Sequence, residues 1–288
     1  MQKILVTGGA GFIGSNLIEK LLENKSNEVY SLDNYSTGKI ENHIKGATYI
    51  KGDTADIEKL IDFIPDIIYH LGEYSRVEQS LDEVEKVWDY NIKGTFAVLE
   101  FCRKNKIKIV YAGSSTKFSN NNTGKFLSPY TWTKATNTEL VSNYGSWFGL
   151  PFAITYFYNV YGNREISSGK YATLIAIFKE KSKNNEQLPV VSPGTQIRNF
   201  TNVDDIVKGL IIVGEKGFGD GYCLGSEEGY SILDIAKIFG GNINMLPERN
   251  GNRMDSSIDL SKTRNELGWN AKIKVSDYIK DFINNKSK

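Results

Sequence analysis

Tyr130 and Lys134 are spaced so that their side chains could move a proton together. Ser128 and Pro129 predict a helix cap and a first turn, which places Tyr130 and Lys134 one turn apart on the same helix face. A tyrosine hydroxyl ordinarily has a pKa of about 10 and is a poor base at neutral pH. A lysine ammonium one turn away would favour the phenolate and lower that pKa. The pair predicts an acid/base group, although Tyr and Lys at this spacing also occur on helices without such a role.

A serine hydroxyl is predicted beside this pair. Ser114 and Ser115 follow the apolar run Ile107–Ala112, which predicts a strand, and parallel sheets bind their ligands at the carboxyl ends of the strands. A serine within reach of the tyrosine oxygen would position a substrate hydroxyl and share its proton. A hydride could then leave the same carbon, so the chemistry predicted is oxidation of an alcohol, which requires a hydride acceptor.

A glycine-rich segment predicts the site of that acceptor. The apolar run Lys3–Val6 breaks into a G-x-G-x-x-G pattern that ends at Gly14, and helical spacing resumes at Leu17. The glycines permit a tight turn and let a pyrophosphate approach the helix N-terminus. Asp33 ends the next apolar run about 20 residues later, where an acid accepts hydrogen bonds from the adenosine ribose. Because a carboxylate there would repel a 2′-phosphate, the pattern favours NAD over NADP.

Composition excludes several other classes of protein. The chain has 288 residues, is 40% hydrophobic and 24% charged, and carries a formal net charge of +1, which gives no basic field for nucleic acid. Its apolar runs are shorter than the roughly 20 residues of a membrane span, and the first strand leaves no room for a signal peptide. Two cysteines (Cys102, Cys223) and two histidines (His43, His70) exclude a disulfide framework and a multi-histidine metal site. We therefore expect a cytoplasmic protein without a metal.

Alternating strand-like and helical patterns in the first half predict an α/β fold with a Rossmann-type, doubly wound parallel sheet. The predicted strands are Lys3–Val6, Glu28–Leu32, Thr48–Ile50, Asp66–His70, Ile107–Ala112 and Phe152–Tyr158. The alternation ends near Gly162, and a helix is predicted over Tyr171–Lys181. We predict an NAD-binding domain of residues 1–162, to which 199–225 return, and a smaller C-terminal substrate domain of 163–198 and 226–288. Asn120–Asn122 is expected to be a loop tip.

Short motifs along nearly the whole chain resemble one family. They are Thr7–Gly14, Asp33–Gly38, Gly52–Asp53, His70–Gly72, Asn91–Thr95, Ser114, Tyr130–Lys134, Asn159–Gly162, Arg198–Phe200, Val203–Asp205, Asp259–Lys262 and Leu267–Trp269. On these motifs the chain resembles the extended short-chain dehydrogenase/reductases of the NAD-dependent epimerase/dehydratase family, which act on nucleotide-activated sugars. The resemblance implies NAD as cofactor and a nucleotide-diphosphate sugar as substrate.

The resemblance also implies a role for each matched residue. Tyr130, Lys134 and Ser114 would be catalytic. NAD would be bound by Gly8, Gly11, Phe12, Ile13, Gly14, Asp33, Asn34, Ser36, Thr37, Gly38, Asp53, Thr54, Leu71, Gly72, Asn91 and Lys134. The substrate would be bound by Ser115, Thr116, Glu73, Asn159, Arg198 and Arg249, the two arginines neutralising its diphosphate. Asn91 also lies on an apolar helical stripe, so that a purely structural role stays open for it.

Two departures from the family pattern bear on the reaction. The 4,6-dehydratases usually carry Asp-Glu after the catalytic hydroxyl, whereas this chain has Ser115 and Thr116, which cannot act as carboxylates. Glu73 stands where relatives commonly have an uncharged residue; it is either an acid/base group or, as we favour, the partner of Arg76 in an ion pair that shapes the loop. The resemblance thus favours epimerisation at C4 through a transient 4-keto sugar. A dehydratase that uses Glu73 and a C4 oxidoreductase are the near alternatives.

A non-catalytic NAD-binding regulatory protein is the distant alternative, against which the Tyr130–Lys134 pair counts. Relatives commonly form homodimers through two helices of each subunit, here Val84–Cys102 and the helix that carries Tyr130. The apolar stripes of these helices fit such an interface, although a stripe of this kind can equally face the protein's own core.

Overall fold

A parallel sheet forms the centre of the computed structural model, which describes residues 1–118, 124–248 and 258–286. The strands are β1 (Gln2–Thr7), β2 (Asn27–Asp33), β3 (Thr48–Lys51), β4 (Ile67–His70), β5 (Lys108–Ser114), β6 (Phe152–Phe157), β7 (Val160–Tyr161), β8 (Leu188–Val191), β9 (Ile197–Asn199), β10 (Thr201–Asn202), β11 (Gly219–Leu224), β12 (Gly229–Ser231) and β13 (Ile243–Leu246). The α-helices are α1 (Phe12–Leu21), α2 (Ile57–Leu60), α3 (Val84–Val87), α4 (Gly94–Asn105), α5 (Pro129–Phe148), α6 (Leu174–Lys183), α7 (Val203–Lys216), α8 (Ile232–Phe239), α9 (Ser261–Leu267) and α10 (Val275–Lys286).

The central sheet has the strand order β11-β6-β5-β4-β1-β2-β3, and every pairing in it is parallel. All six predicted strands are present, with ends that differ by one or two residues. The order reverses at β1, which lies between β2 and β4, and such a switch point leaves a crevice at the carboxyl ends of the strands. The predicted fold class, a doubly wound α/β Rossmann-type sheet, is confirmed.

The inner strands of this sheet have continuous apolar centres because helices cover both faces. Leu5 and Val6 of β1 and Ile109 and Val110 of β5 are fully buried. Helices α1 and α7 pack against each other, and the α7 residue Leu210 belongs to the same hydrophobic core. A fully buried aliphatic side chain of this kind contributes about 1.5–3 kcal/mol. The sheet is therefore a firm base for the loops at its carboxyl edge.

Predicted site residues lie on α5 and on the helical segment that runs from α3 to α4, near this edge of the sheet. Ser128 caps α5 as predicted, since its hydroxyl accepts from Thr131 N at 3.2 Å and Thr131 Oγ1 accepts from Ser128 N at 3.0 Å. The helix predicted over Val84–Cys102 runs from α3 to α4, but the turn between them, Trp88–Lys93, is π-helical. A π turn is wider than an α turn, and it leaves the Asn91 carbonyl to accept from Asn137 on α5 at 2.7 Å.

The second half of the chain has its own hydrophobic cluster, which includes Phe178, Leu188, Ile235 and Ile279. The predicted helix there is α6, which starts three residues later than expected, at Leu174. Trp269 packs instead against the core of the central sheet, so the predicted smaller domain does not pack only on itself. The domain boundaries stay a prediction, and Asn120–Asn122 lie outside the described residues.

Within the described ranges, no helix is both long and apolar enough to span a membrane, and no group of acids, histidines and cysteines is arranged to bind a metal.

Candidate functional site

A cavity of about 510 Å³ opens at the carboxyl edge of the central sheet, where the strand order reverses. It brings together most of the residues that the sequence predicts for the site: Gly8, Gly11, Phe12, Ile13, Gly14, Asp33, Asn34, Ser36, Thr37, Thr54, Leu71, Gly72, Glu73, Ser114, Ser115, Thr116, Tyr130, Lys134 and Asn159. One end is formed by the glycine segment and the other by the Tyr130 side chain. The cavity therefore joins the predicted dinucleotide and reaction sites.

The glycine segment makes a turn that has no room for side chains. Gly8 has a φ of +71°, and a Cβ on Gly14 would lie 2.2 Å from the Gly8 carbonyl oxygen. Gly11 precedes α1 and brings no capping side chain to it. The N-terminus of α1 therefore faces the cavity with its N–H groups, and an anion such as a pyrophosphate is favoured there.

Asp33 closes this end of the cavity. Its carboxylate accepts from Ala10 N at 2.9 Å and from Tyr35 N at 2.7 Å, and each oxygen keeps a further lone pair for a ribose hydroxyl. Burial raises the pKa of the carboxyl, and the two N–H groups offset part of that effect. Beside it, Asn34 donates to Asp53 at 2.6 Å. The residues present thus fit the adenosine half of NAD.

The three predicted catalytic residues meet at the other end. The Tyr130 hydroxyl donates to Ser114 Oγ at 3.2 Å, and Ser114 Oγ lies 2.9 Å from Thr116 Oγ1. The Lys134 ammonium donates to the Ala112 carbonyl and to the Glu73 carboxylate. The arrangement provides a phenol, a hydroxyl that can share its proton, and a buried ammonium on one wall of the cavity.

Glu73 does not form the ion pair that the sequence favours. The expected Glu73–Arg76 pair is wrong, because Arg76 donates instead to the Tyr171 carbonyl, from Nη2 at 2.6 Å and from Nε at 3.1 Å. Glu73 turns inward to Lys134, which is better placed to compensate a buried carboxylate. Burial has the largest single effect and would raise the pKa of Glu73, but the charge of Lys134 and the hydrogen bonds and other groups around the carboxylate together outweigh it and hold that pKa below its usual value.

A chain of hydrogen bonds reaches Glu73 from the cofactor loop. Thr7 Oγ1 accepts from the Leu71 and Gly72 N–H groups, so its own proton must go to His70 Nδ1, at 2.7 Å. His70 Nε2 then carries the ring proton and donates to Thr95 Oγ1 at 3.0 Å. Thr95 in turn donates to Glu73 at 2.6 Å. Burial lowers the pKa of His70 to about 4, which keeps the imidazole neutral.

Some predicted residues are not brought to the cavity. In the described part of the chain, Gly38, Asp53, Asn91 and Arg198 do not line it. Asn91 is fully buried and bonds to Tyr74 N at 2.7 Å and to Thr133 Oγ1 at 2.9 Å, which is the structural role left open above. Arg198 Nη1 donates to the Ile197 carbonyl at 2.8 Å. Arg249 lies outside the described residues.

No sequence pattern predicts the loop that crosses the cavity. This bridging loop, residues 163–173, contributes Glu165, Ile166, Ala172 and Thr173 to the lining. At one end Arg164 bonds to Asn16 of α1 at 3.0 Å. The lining residues Arg76, Tyr74 and Phe200 were missed as well. The sequence names Arg76 only as the partner of Glu73, which is wrong, and Phe200 only within the motif Arg198–Phe200.

At its other end the bridging loop is fastened to the segment 74–83. Glu83 accepts from the hydroxyls of Tyr74, at 2.6 Å, and Tyr171, and from Lys170 Nζ at 2.8 Å. Together with the Arg76 bonds to Tyr171, this group forms what we term the clasp. The Tyr171 ring also packs with Tyr74 and Tyr130. The loop therefore covers the reaction end of the cavity.

The chain is similar to a known protein family and to several solved structures. The family model described as NAD dependent epimerase/dehydratase family matches residues 4–225. A Methanocaldococcus jannaschii protein named provisionally as a UDP-glucose 4-epimerase is 31% identical over 98% of this chain and 97% of its own length. The UDP-glucose 4-epimerase of Thermotoga maritima, solved with UDP-glucose, superposes with a TM-score of 0.90 at 26% identity, over 99% of this chain and 100% of that one. That of Thermus thermophilus, solved with NAD, has a TM-score of 0.87 at 27% identity and covers 99% of both chains.

Proposed function

The chain belongs to the NAD-dependent epimerase/dehydratase family, and from that membership we propose that it interconverts two nucleotide-diphosphate sugars that differ in configuration at C4. The observation that carries this proposal is the Tyr130 hydroxyl, 3.2 Å from Ser114 Oγ, in a cavity continuous with the glycine segment. NAD is the cofactor of this family, and it supplies a hydride acceptor that can return the hydride to the same carbon. Because the named relatives act on UDP-glucose, a UDP-sugar is the first substrate class to test.

Proton transfer at the C4 hydroxyl falls to Tyr130 and Ser114 in this proposal. Tyr130, as the phenolate, takes the hydroxyl proton while Ser114 donates a hydrogen bond to the same oxygen and fixes its position. The third N–H of the Lys134 ammonium has no partner among the described residues and is left for a ligand. When hydride returns to the opposite face of the 4-keto sugar, Tyr130 gives the proton back. Each residue ends the cycle as it began.

The same side chains argue against elimination of water. Thr116 and Ser115, which stand where a dehydratase needs an acid and a base, carry hydroxyls, and that of Thr116 lies 2.9 Å from Ser114 Oγ. The Glu73 carboxylate is buried and already accepts hydrogen bonds on both oxygens. A dehydratase that uses Glu73 would have to break several of these bonds in each cycle.

We assign the sugar nucleotide to the part of the cavity between Tyr130 and the bridging loop. Asn159, with its strained φ of +36°, lines this part and donates its side-chain amide to the Asn199 carbonyl at 3.3 Å, and Phe200 supplies an apolar wall. Arg198 and Arg249 stay our proposed ligands of the diphosphate. In this proposal Arg198 reorients its side chain toward the ligand, because a guanidinium forms bidentate, charge-assisted hydrogen bonds with a diphosphate.

A product assay in deuterated water tests the function. The purified protein is given a panel of UDP-, GDP-, CDP- and dTDP-hexoses without added cofactor, and products are identified by NMR. We expect two C4 epimers to interconvert with no solvent deuterium in the sugar. Deuterium at C5 or a 4-keto-6-deoxy product would contradict the epimerase and favour a dehydratase. In a parallel assay with added NADH, consumption of the NADH would favour an oxidoreductase.

We also propose that the protein is a homodimer through α3, α4 and α5. Trp88 and Trp132 stack with ring centroids 6.0 Å apart and yet are 46% and 41% exposed, and Phe96 on α4 is 52% exposed. Exposed aromatic side chains on adjacent helices are typical of a surface that another protein covers. Sedimentation equilibrium of Trp132→Glu beside the unaltered protein tests it; a dimer in both, or a monomer in both, contradicts the proposal.

The cytoplasmic location stays a prediction, with which the free thiols of Cys102 and Cys223 agree.

A further inference from the structure

Glu73 is unusual in this cavity because its carboxylate has almost no contact with solvent. Its side chain is 2% exposed, and that of Lys134 is 7% exposed. Oε1 accepts from Thr95 at 2.6 Å, from Asn137 at 2.7 Å and from Tyr111 at 3.1 Å, while Oε2 accepts from Lys134. These donors come from α4, α5 and β5. The carboxylate thus links two helices to the sheet at the wall of the reaction site.

This set of donors fits a fixed negative charge better than a group that exchanges protons. A carboxylate in contact with an ammonium and three further donors stays ionised, and Oε1, which meets three of these donors, has no accepting position left. The chain of hydrogen bonds from Thr7 through His70 to Thr95 runs in one direction and ends on it. A proton on Glu73 would face the donated proton of Thr95 and disturb that order. Glu73 is therefore held as an anion by several elements at once.

We propose that Glu73 is a positioning residue, which holds the Lys134 ammonium against the Ala112 carbonyl and offsets its positive charge beside Tyr130. This inference rests on the proposed function, in which Tyr130 exchanges a proton with the substrate hydroxyl. An ammonium alone would favour the Tyr130 phenolate, and an anion in contact with the ammonium cancels part of that effect. The Glu73 charge thereby weakens the stabilisation that Lys134 gives to a negative charge on Tyr130.

Charged and titratable groups on several elements of the fold face the Glu73–Lys134 pair. His70 on β4 is neutral, with its pKa lowered to about 4 by burial, and burial beside Glu73 raises the pKa of Tyr111 on β5 well above its usual value. Arg76, which follows β4, faces Tyr130 and keeps its charge. From α4 the group is the hydroxyl of Thr95, which does not titrate. Between about pH 5.5 and 9, neither His70 nor Tyr111 changes its charge.

Glu73→Gln removes the charge and keeps the shape, since the hydroxyls of Thr95 and Tyr111 can rotate to accept from the new amide and the Asn137 side chain can turn its unpaired oxygen to it. Two pH profiles are measured: kcat/KM for epimerisation, and the phenolate absorbance of Tyr130, taken as the difference from a Tyr130→Phe protein without substrate. We expect both the acid limb of kcat/KM and the absorbance midpoint to move down by about one pH unit. Thr95→Val is the matched control, because it removes one hydrogen bond to the same carboxylate and keeps the charge. We expect it to leave both midpoints in place.

The absorbance profile needs no turnover, so it tests Glu73 even if no nucleotide sugar proves to be a substrate. An unchanged absorbance midpoint in Glu73→Gln, or an equal shift in Thr95→Val, overturns the proposal. Solvent deuterium at C5 that Glu73→Gln abolishes would also overturn it, by making Glu73 an acid/base group. If Glu73→Gln does not fold because Lys134 is left unpaired, Lys134→Met with and without Glu73→Gln replaces it. Lys134→Met alone leaves the negative charge of Glu73, whereas the double variant has no charge at either position. The absorbance midpoint of the double variant must therefore be lower than that of Lys134→Met.

Discussion

Loosening the clasp is expected to weaken substrate binding without comparable damage to the fold. Tyr171 and Tyr74 both donate their hydroxyls to Glu83, but Tyr171 lies on the bridging loop and Tyr74 lies on the same segment as Glu83. Tyr171→Phe therefore removes a bond across the cavity, and Tyr74→Phe removes an equivalent bond on one side of it. In both variants the aromatic ring remains, so the packing of the two rings, whose centroids are 6.3 Å apart, is kept.

The expected size follows from what is left of the clasp. A hydrogen bond to a charged group changes an equilibrium constant by roughly tenfold or more when it is fully buried, and the Glu83 carboxylate is shared with the exposed ammonium groups of Lys86 and Lys170. The bonds of Arg76 to the Tyr171 carbonyl and of Lys170 to Glu83 also remain. We therefore expect Tyr171→Phe to raise the dissociation constant of the nucleotide sugar by about fivefold.

Isothermal titration with the nucleotide sugar measures this, and urea unfolding of the same proteins measures stability. Tyr74→Phe is expected to lower the urea midpoint by about as much as Tyr171→Phe and to leave the dissociation constant within about twofold of the unaltered protein. Equal dissociation constants for the two variants would refute the reasoning, because the bond across the cavity would then have no special role in closing it. A fivefold loss in Tyr74→Phe alone would refute it too.

Three further outcomes are expected. Tyr130→Phe should lower kcat by about 10²–10⁴-fold and leave the NAD affinity nearly unchanged, and a kcat within threefold of the original would contradict its role in proton transfer. Gly14→Ala, whose Cβ would lie 2.2 Å from the Gly8 oxygen, should lose both NAD binding and stability. Gly11→Ala, whose Cβ would have its nearest neighbouring atom at 3.1 Å, should lose NAD binding alone. Calorimetry with and without NAD distinguishes the two variants. Because burial lowers the pKa of His70 to about 4, the unfolded chain binds the extra proton as pH falls from about 6.5. Roughly 3 kcal/mol of stability should be lost by pH 4 through this group, and His70→Gln should lose that part of the pH dependence in urea titrations.

Local sequence patterns predicted those site residues whose position is determined by a single helix, strand or turn. The turn at Gly8–Gly14 follows from glycine spacing between a strand and a helix, and Tyr130 and Lys134 share a face because they are one turn apart on α5. Asp33 ends a strand that pairs in parallel with β1, which brings it to the same edge. For such residues, periodicity and strand order determine the position before any long-range contact is known.

The pairings across the site could not be predicted in this way. Glu73 meets Lys134 over 61 positions of sequence, and Arg76 meets Tyr171 over 95, so that their partners depend on how separate loops pack. From the sequence, Arg76 was the nearest cation to Glu73 and was therefore favoured as its partner. Burial reverses the preference, because a carboxylate that leaves solvent needs the most buried cation available, and that is Lys134.

The π turn at Trp88–Lys93 has a consequence for how this chain tolerates changes of length. One residue added to a regular α-helix rotates everything beyond it by about 100°, so that a side chain that faced the core would point outward. The wider turn takes up that residue, and the exposed face around Trp88 and the buried face of α4 keep their directions. Loss of one residue inside the turn would return it to an ordinary helix with both faces still aligned, whereas the same deletion a few positions later, within α4, would turn the buried side chains beyond it, such as Leu99 and Cys102, away from the core.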